Sequence, residues 1–187
     1  MKTKQIFNLF LMLVIFSSFA VSEVSAQTES KFSPIKFSSR NLGGPRLGFT
    51  YIPGHGELVT TLKDKKIGPL LSQFGWHFEY QIVPDVEGPC FIIEAIPLVA
   101  GVEYGTLIPS ITLGFGIRFP NGIEFGMGPN ILATEKGGMS ALMLAVGKSF
   151  EYGGVSIPLN LAVTTNPKGY RVSFIFGYAI EKSKTNN

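Results

Sequence analysis

The chain has 187 residues, of which 45% are hydrophobic and 16% are charged, and its formal net charge is +3. Charged residues usually make up about a quarter of a soluble domain, so this chain is typical of a protein that is deeply buried or faces lipid. Its basic residues form no stripe with interleaved aromatic residues, which argues against a nucleic-acid partner, and its single cysteine, Cys90, excludes an intrachain disulfide.

The N-terminus has the three parts of a secretory signal peptide. Lys2 and Lys4 precede an apolar run from Ile6 to Ala20, and Val24-Ser25-Ala26 forms a small-x-small cleavage site before Gln27. A membrane-spanning helix needs about 20 apolar residues, so this run is short for an anchor. We therefore predict that residues 1–26 are removed on export, with an uncleaved N-terminal anchor as the alternative.

The region that follows divides into three parts by composition and periodicity. Residues 27–45 are rich in Ser, Gly and Pro without a clear period and predict a flexible leader. Residues 46–180 predict one β domain, and residues 181–187 form a polar tail.

Apolar and polar residues alternate with a period of two through most of 46–180, which predicts strands. The clearest segment, 74–82, places large apolar side chains on one face and Gly75, His77, Glu79 and Gln81 on the other. Proline removes a ladder donor, so Pro158 predicts a bulge in its strand. Eight strands are predicted in all, at 46–52, 74–82, 90–102, 107–119, 123–128, 139–150, 155–163 and 170–179.

One link, residues 54–73, is long and carries the chain's one helical period, from Leu58 to Lys66. Its apolar face and its lysines predict a short amphipathic helix, which either lies at a lipid surface or folds over or into the mouth of a barrel. Tight turns are predicted at 119–122 and 151–154.

The two faces of the strands differ in a way that indicates which one meets water. The less apolar face is mostly Gly, Ser, Ala and Thr with a few charges of both signs, which suits a narrow lumen. The other face carries Phe, Trp, Tyr, Leu and Ile and would be a very large apolar patch in water. The pattern favours a barrel in a membrane. The alternative is an exported soluble barrel in the periplasm, whose aromatic face points inward and binds an apolar ligand.

Across most of 46–180 the chain resembles the small eight-stranded outer-membrane β-barrel proteins of Gram-negative bacteria. Lys168-Gly169-Tyr170-Arg171-Val172-Ser173-Phe174 is similar to the assembly signal in the last strand of such proteins, although this chain continues to Asn187. The resemblance implies an all-β, eight-stranded antiparallel up-and-down barrel in the outer membrane. It also implies that the barrel contacts outer-membrane lipid, meets the barrel assembly machinery through its last strand, and is a monomer. The implied role is structural, surface-interacting or that of a narrow pore, without catalysis.

Five polar residues on the less apolar face are candidates for a network inside the lumen. They could line an ion path, but eight strands leave a lumen that side chains fill, which favours a salt-bridged plug. The candidates are His77, Glu79, Arg118, Glu124 and Arg171.

A catalytic interpretation of His77 and Glu79 ranks third. They could act as a base and its orienter, with Ser110 or Ser173 as the nucleophile of a lipid-modifying enzyme. Nothing in the sequence fixes the distance to a serine, so packing within the lumen is favoured. His55 and His77 are too few and too far apart for a zinc signature, and no metal or cofactor is predicted.

Overall fold

The computed structural model describes residues 35–54, 57–134 and 137–181. The predicted signal peptide (1–26), the start of the predicted leader (27–34), His55 and residues 182–187 of the polar tail lie outside the described residues.

The described chain forms a single antiparallel sheet that closes on itself. Each strand pairs with the next one along the chain, and the last strand pairs with the first. The prediction of an eight-stranded antiparallel up-and-down barrel is therefore confirmed. The elements are β1 (Phe37–Tyr51), α1 (Glu57–Asp64), β2 (Leu70–Pro84), β3 (Cys90–Ala100), a 3₁₀ turn (Val102–Tyr104), β4 (Ile108–Arg118), β5 (Ile123–Thr134), β6 (Gly137–Tyr152), β7 (Val155–Asn166), β8 (Gly169–Gly177) and β9 (Ala179–Glu181).

The first strand begins earlier than the sequence predicts. Residues 37–45, assigned to a flexible leader, form the first part of β1 and pair with β2 from Phe37↔Pro84 onward. The prediction failed because Gly43-Gly44-Pro45 hides the alternation. Gly44 is required there by packing, since a Cβ at this position would lie 1.9 Å from the backbone oxygen of Tyr178.

The last strand is interrupted at Tyr178, and β9 continues β8 in the same register on both of its sides. Pro45 of β1 lies beside Tyr178 and has no N–H to give to the Tyr178 carbonyl, which instead accepts a hydrogen bond of 3.1 Å from Nη1 of Arg46. Pro158 lies at the same break, because the pairing of β7 with β8 ends at Leu159 and the pairing of β7 with β9 begins at Ser156. The bulge predicted at Pro158 is absent from β7, which keeps one register with β6.

The alternation along the strands separates an apolar exterior from a polar lumen. Large side chains face outward and are exposed on every one of strands β1 to β8, among them Phe49, Trp76, Phe115 and Leu144. The inward face carries the buried polar residues, including His77, together with some aliphatic residues from β3. The aromatic face therefore points outward, opposite to the arrangement that an apolar ligand inside the barrel requires.

The two ends of the barrel differ. We call the end with the connections 52–69, 101–107, 135–136 and 167–168 the loop end, and the end with the connections 85–89, 119–122 and 153–154 the turn end. Gly122 has φ +82 and Gly154 has φ +82, a backbone conformation that glycine adopts without strain and that fits the tight turns predicted there.

Helix α1 packs against the loop end of the barrel. Leu62 is buried in an apolar cluster with Ile52, Ile67 and Leu71, and Leu71 belongs to the inward face of β2. At the edge of the mouth, Nζ of Lys168 lies 2.7 Å from Oε1 of Glu57. Of the two placements that the sequence left open, the structure therefore has the link folded over the mouth of the barrel. We call the cluster of Ile52, Leu62, Ile67 and Leu71 the apolar cap.

No helix among residues 35–54, 57–134 and 137–181 has the length and apolar character needed to cross a membrane.

Candidate functional site: the barrel lumen

Polar side chains in the lumen form two separate groups. The first, the turn-end network, extends from the middle of the barrel to its turn end and contains Arg46, His77, Glu79, Gln81, Glu94, Arg118, Glu124 and Ser149. The second, the loop-end cluster, lies nearer the apolar cap and contains Thr50, Gln73, Thr112, Asn130, Arg171 and Ser173.

Arg118 is the centre of the turn-end network. Its Nη1 and Nη2 donate to the two oxygens of Glu79 at 2.6 and 3.1 Å, and its Nε donates to Oε2 of Glu124 at 2.7 Å. The same Glu124 oxygen accepts from Oγ of Ser149 at 3.2 Å, and Gln81 donates to Glu79. A two-pronged guanidinium–carboxylate contact is the strongest geometry for such a pair, and all three charged groups are buried.

The contacts of His77 fix its tautomer. Arg46 donates to Nδ1 of His77, and because a guanidinium has only donors, Nδ1 must be the acceptor and the ring proton must lie on Nε2. That nitrogen lies 3.2 Å from Oε1 of Glu94 and 3.5 Å from Oε2 of Glu79. His77 therefore bridges one guanidinium and two carboxylates.

These contacts argue against a metal centre at His77, Glu79 and Glu94, whose potential ligand atoms lie within 4.8 Å of one another. A metal on Nε2 would require the ring proton to move to Nδ1, where Arg46 already donates. Both oxygens of Glu79 are also engaged by Arg118. The group fits an ion-pair network better than a cation site.

The catalytic interpretation of His77 finds no geometric support. Its side chain is 1% exposed, and both ring nitrogens face Arg46 or the two carboxylates. Ser173, one of the two serines proposed as nucleophile, shares a hydrogen bond of 2.7 Å with Thr50. Within the described ranges no serine forms a hydrogen bond with His77, so no nucleophile and base are brought together.

The loop-end cluster is built around Arg171, which is 9% exposed. Its Nη2 donates to Oδ1 of Asn130, and Nδ2 of Asn130 donates to Thr112 at 2.8 Å. Among the residues that the structure describes, no carboxylate lies within ion-pair distance of Arg171.

Within the described part of the chain, the lumen holds two small cavities that polar residues line. One of about 20 Å³ lies beside Gly147, near Oε1 of Glu124 and Oδ1 of Asn160, two buried acceptors without a hydrogen-bond partner in the described part of the chain. The other, about 50 Å³, is lined by Arg171, Gln73 and several hydroxyl groups. A water needs about 10–15 Å³ on this measure, so the first cavity has room for a single water molecule and the second for about three.

The structure places the five candidate residues in the two polar groups of the lumen. His77, Glu79, Arg118 and Glu124 meet in the turn-end network, whereas Arg171 belongs to the other cluster. The predicted network left out Arg46 and Glu94, although each is a charged residue within a predicted strand. A single charge in an otherwise apolar strand, such as Glu94, was the available signal.

Comparisons with known proteins concern the fold. No family model and no curated protein matches the chain. One similar solved structure is a de novo designed transmembrane β-barrel, with 7% identity over 76% of this chain and 95% of that one and a TM-score of 0.42. Another is Ail of Yersinia pestis in a phospholipid bilayer nanodisc, with 9% identity over 78% of this chain and 100% of that one and a TM-score of 0.45. A third is Neisserial surface protein A, with 8% identity over 80% of this chain and 100% of that one and a TM-score of 0.43. At these identities and TM-scores the likeness implies no shared activity.

Proposed function

We propose that this chain is an outer-membrane β-barrel with a structural or surface-interaction role and a closed lumen. The observation that carries the proposal is the arrangement of the two faces. An apolar exterior surrounds a closed barrel, and Glu79, Arg118 and Glu124 lie buried inside it in contact with one another. Lipid offers no partner for an open sheet edge or a charged side chain, and this barrel presents an apolar belt without an open edge.

Two barriers in the lumen favour a closed barrel over a narrow pore. The turn-end network ties Arg46, His77, Glu79, Arg118 and Glu124 together across the interior. The apolar cap covers the loop end. A diffusing ion would have to displace both an ion-pair network and a hydrophobic cluster.

Export, insertion and partners complete the proposal. The signal-peptide pattern of residues 1–26 supports export, and the pattern from Lys168 to Phe174 supports recognition of the last strand by the barrel assembly machinery. That strand pairs with both β1 and β7, so it is the element that closes the barrel. The barrel surface contacts lipid, and the loop end, which carries the longest connection, faces outward as is usual for such barrels. We propose a monomer as the working unit.

A planar lipid bilayer experiment tests the closed lumen. We expect the full exported chain, once folded and reconstituted, to give no stable conductance steps, whereas a porin reconstituted in parallel does. Folding is verified in the same sample by its gel mobility with and without boiling, because barrel proteins resist unfolding in detergent. Stable unitary steps from verified folded protein would overturn the closed-lumen role and favour the narrow pore.

A further inference from the structure

The loop-end cavity combines a buried positive charge with a donor that has no partner. Arg171 carries the charge and donates to the neutral amide of Asn130. Gln73 lines the same cavity, and its Nε2 is buried and has no hydrogen-bond partner in the described residues. A buried donor left without a partner is destabilising, and a buried charge without a counter-charge is more so.

Other groups around the cavity add further donors. The hydroxyls of Ser110 and Thr164 line it, and Thr112 accepts from Asn130, so its own hydroxyl proton is free to turn inward. Glu94 also lines the cavity, but its carboxylate belongs to the turn-end network, where Oε1 lies 3.2 Å from Nε2 of His77. The part of the cavity next to Arg171 is thus rich in donors and positively charged.

We propose that this cavity is a binding site for a small inorganic anion of the size of chloride, held between the guanidinium of Arg171 and the amide of Gln73. The ligand supplies the counter-charge that Arg171 lacks and accepts the hydrogen bond that Gln73 offers. The volume of about 50 Å³ fits a monatomic anion with a water molecule and excludes large organic anions.

Unfolding of the full exported chain in an uncharged detergent tests the site, with chloride as the probe. Sodium chloride replaces sodium gluconate at constant ionic strength, so that screening of surface charges is unchanged. We expect chloride to stabilise the barrel in a saturable way, lowering the unfolding constant by about tenfold once chloride reaches roughly ten times its dissociation constant. An unfolding midpoint that does not change with chloride would overturn the proposal and leave a cavity that holds water.

Two variants and a control make the result specific. Arg171→Met abolishes the chloride dependence, whereas Arg40→Met, which removes an exposed arginine that pairs with Glu181, keeps it. Should Arg171→Met fail to fold, Gln73→Leu serves instead. It removes the unpaired donor, so it weakens the response to chloride while leaving stability in gluconate equal or higher. A Gln73→Leu protein that responds to chloride as fully as the original would count against the site.

Crystals grown in sodium bromide locate the anion directly. We expect an anomalous peak within hydrogen-bonding distance of both the Arg171 guanidinium and Nε2 of Gln73. Bromide peaks confined to the protein surface would contradict the assignment.

Discussion

Replacing Arg118 by methionine is expected to cost about 3–5 kcal/mol of unfolding free energy, the usual result of removing one partner of a buried ion pair. Arg118 is 7% exposed and binds two buried carboxylates, those of Glu79 and Glu124. Methionine fills similar space but leaves both carboxylates without a counter-charge. Urea titration of the barrel in detergent or lipid, followed by tryptophan fluorescence, measures the loss.

A matched variant at the barrel surface separates charge pairing from the effect of losing any arginine. Arg40 also contacts a carboxylate, Oε2 of Glu181 at 3.0 Å, but both side chains are more than 40% exposed. Exposed pairs contribute about 0–1 kcal/mol, so Arg40→Met should be close to neutral. Adding Glu79→Gln to Arg118→Met should recover part of the loss, since the two sites share one network. Equal losses in Arg118→Met and Arg40→Met would contradict the buried network.

Leu144→Arg is expected to destabilise the barrel in phospholipid vesicles by about 2–4 kcal/mol, the range for a lipid-facing arginine near the bilayer midplane. Leu144 lies at the middle of β6, faces outward and is 46% exposed. Its cross-strand neighbours Met127 and Val163 are also exposed, so the new charge would have apolar surroundings on both sides.

The same substitution at the end of the same strand is the control. Tyr152 is the last residue of β6 and is exposed, and an arginine near the membrane surface costs about 0–1 kcal/mol. Equilibrium unfolding of Leu144→Arg and Tyr152→Arg in the same vesicles gives the comparison. Similar costs at both positions would mean that the middle of β6 is not in lipid.

The strand pattern of this barrel was readable because most strands have two chemically different faces. In segment 74–82 the alternation of apolar and polar residues matches the alternation of exposed and buried side chains. The same period of two identifies the buried polar residues His77, Glu79, Arg118, Glu124 and Arg171. The start of β1 was not readable, because Gly43 and Pro45 interrupt the alternation and Gly44 is required by a close backbone approach.

The connectivity of the lumen could not be read from the sequence. Alternation gives the face on which a side chain lies but not its partner across the barrel, which depends on the stagger between distant strands. Arg118 therefore meets Glu79, 39 residues away, while Arg171 finds the amide of Asn130, 41 residues away. The placement of α1 was open for a similar reason, since an amphipathic helix packs equally well on lipid or on an apolar cluster such as Ile52, Ile67 and Leu71.

Quenching of Trp76 fluorescence by brominated lipids tests the membrane-spanning barrel most directly. Trp76 is the one tryptophan of the chain, lies near the middle of β2, faces outward and is 45% exposed. In vesicles of phospholipids brominated at different depths along the acyl chain, we expect strong quenching of the folded protein by the acyl-chain bromines and little quenching by iodide in the water. Emission that is quenched by iodide and unaffected by bromines at every depth would contradict the account, because the apolar belt would then face water.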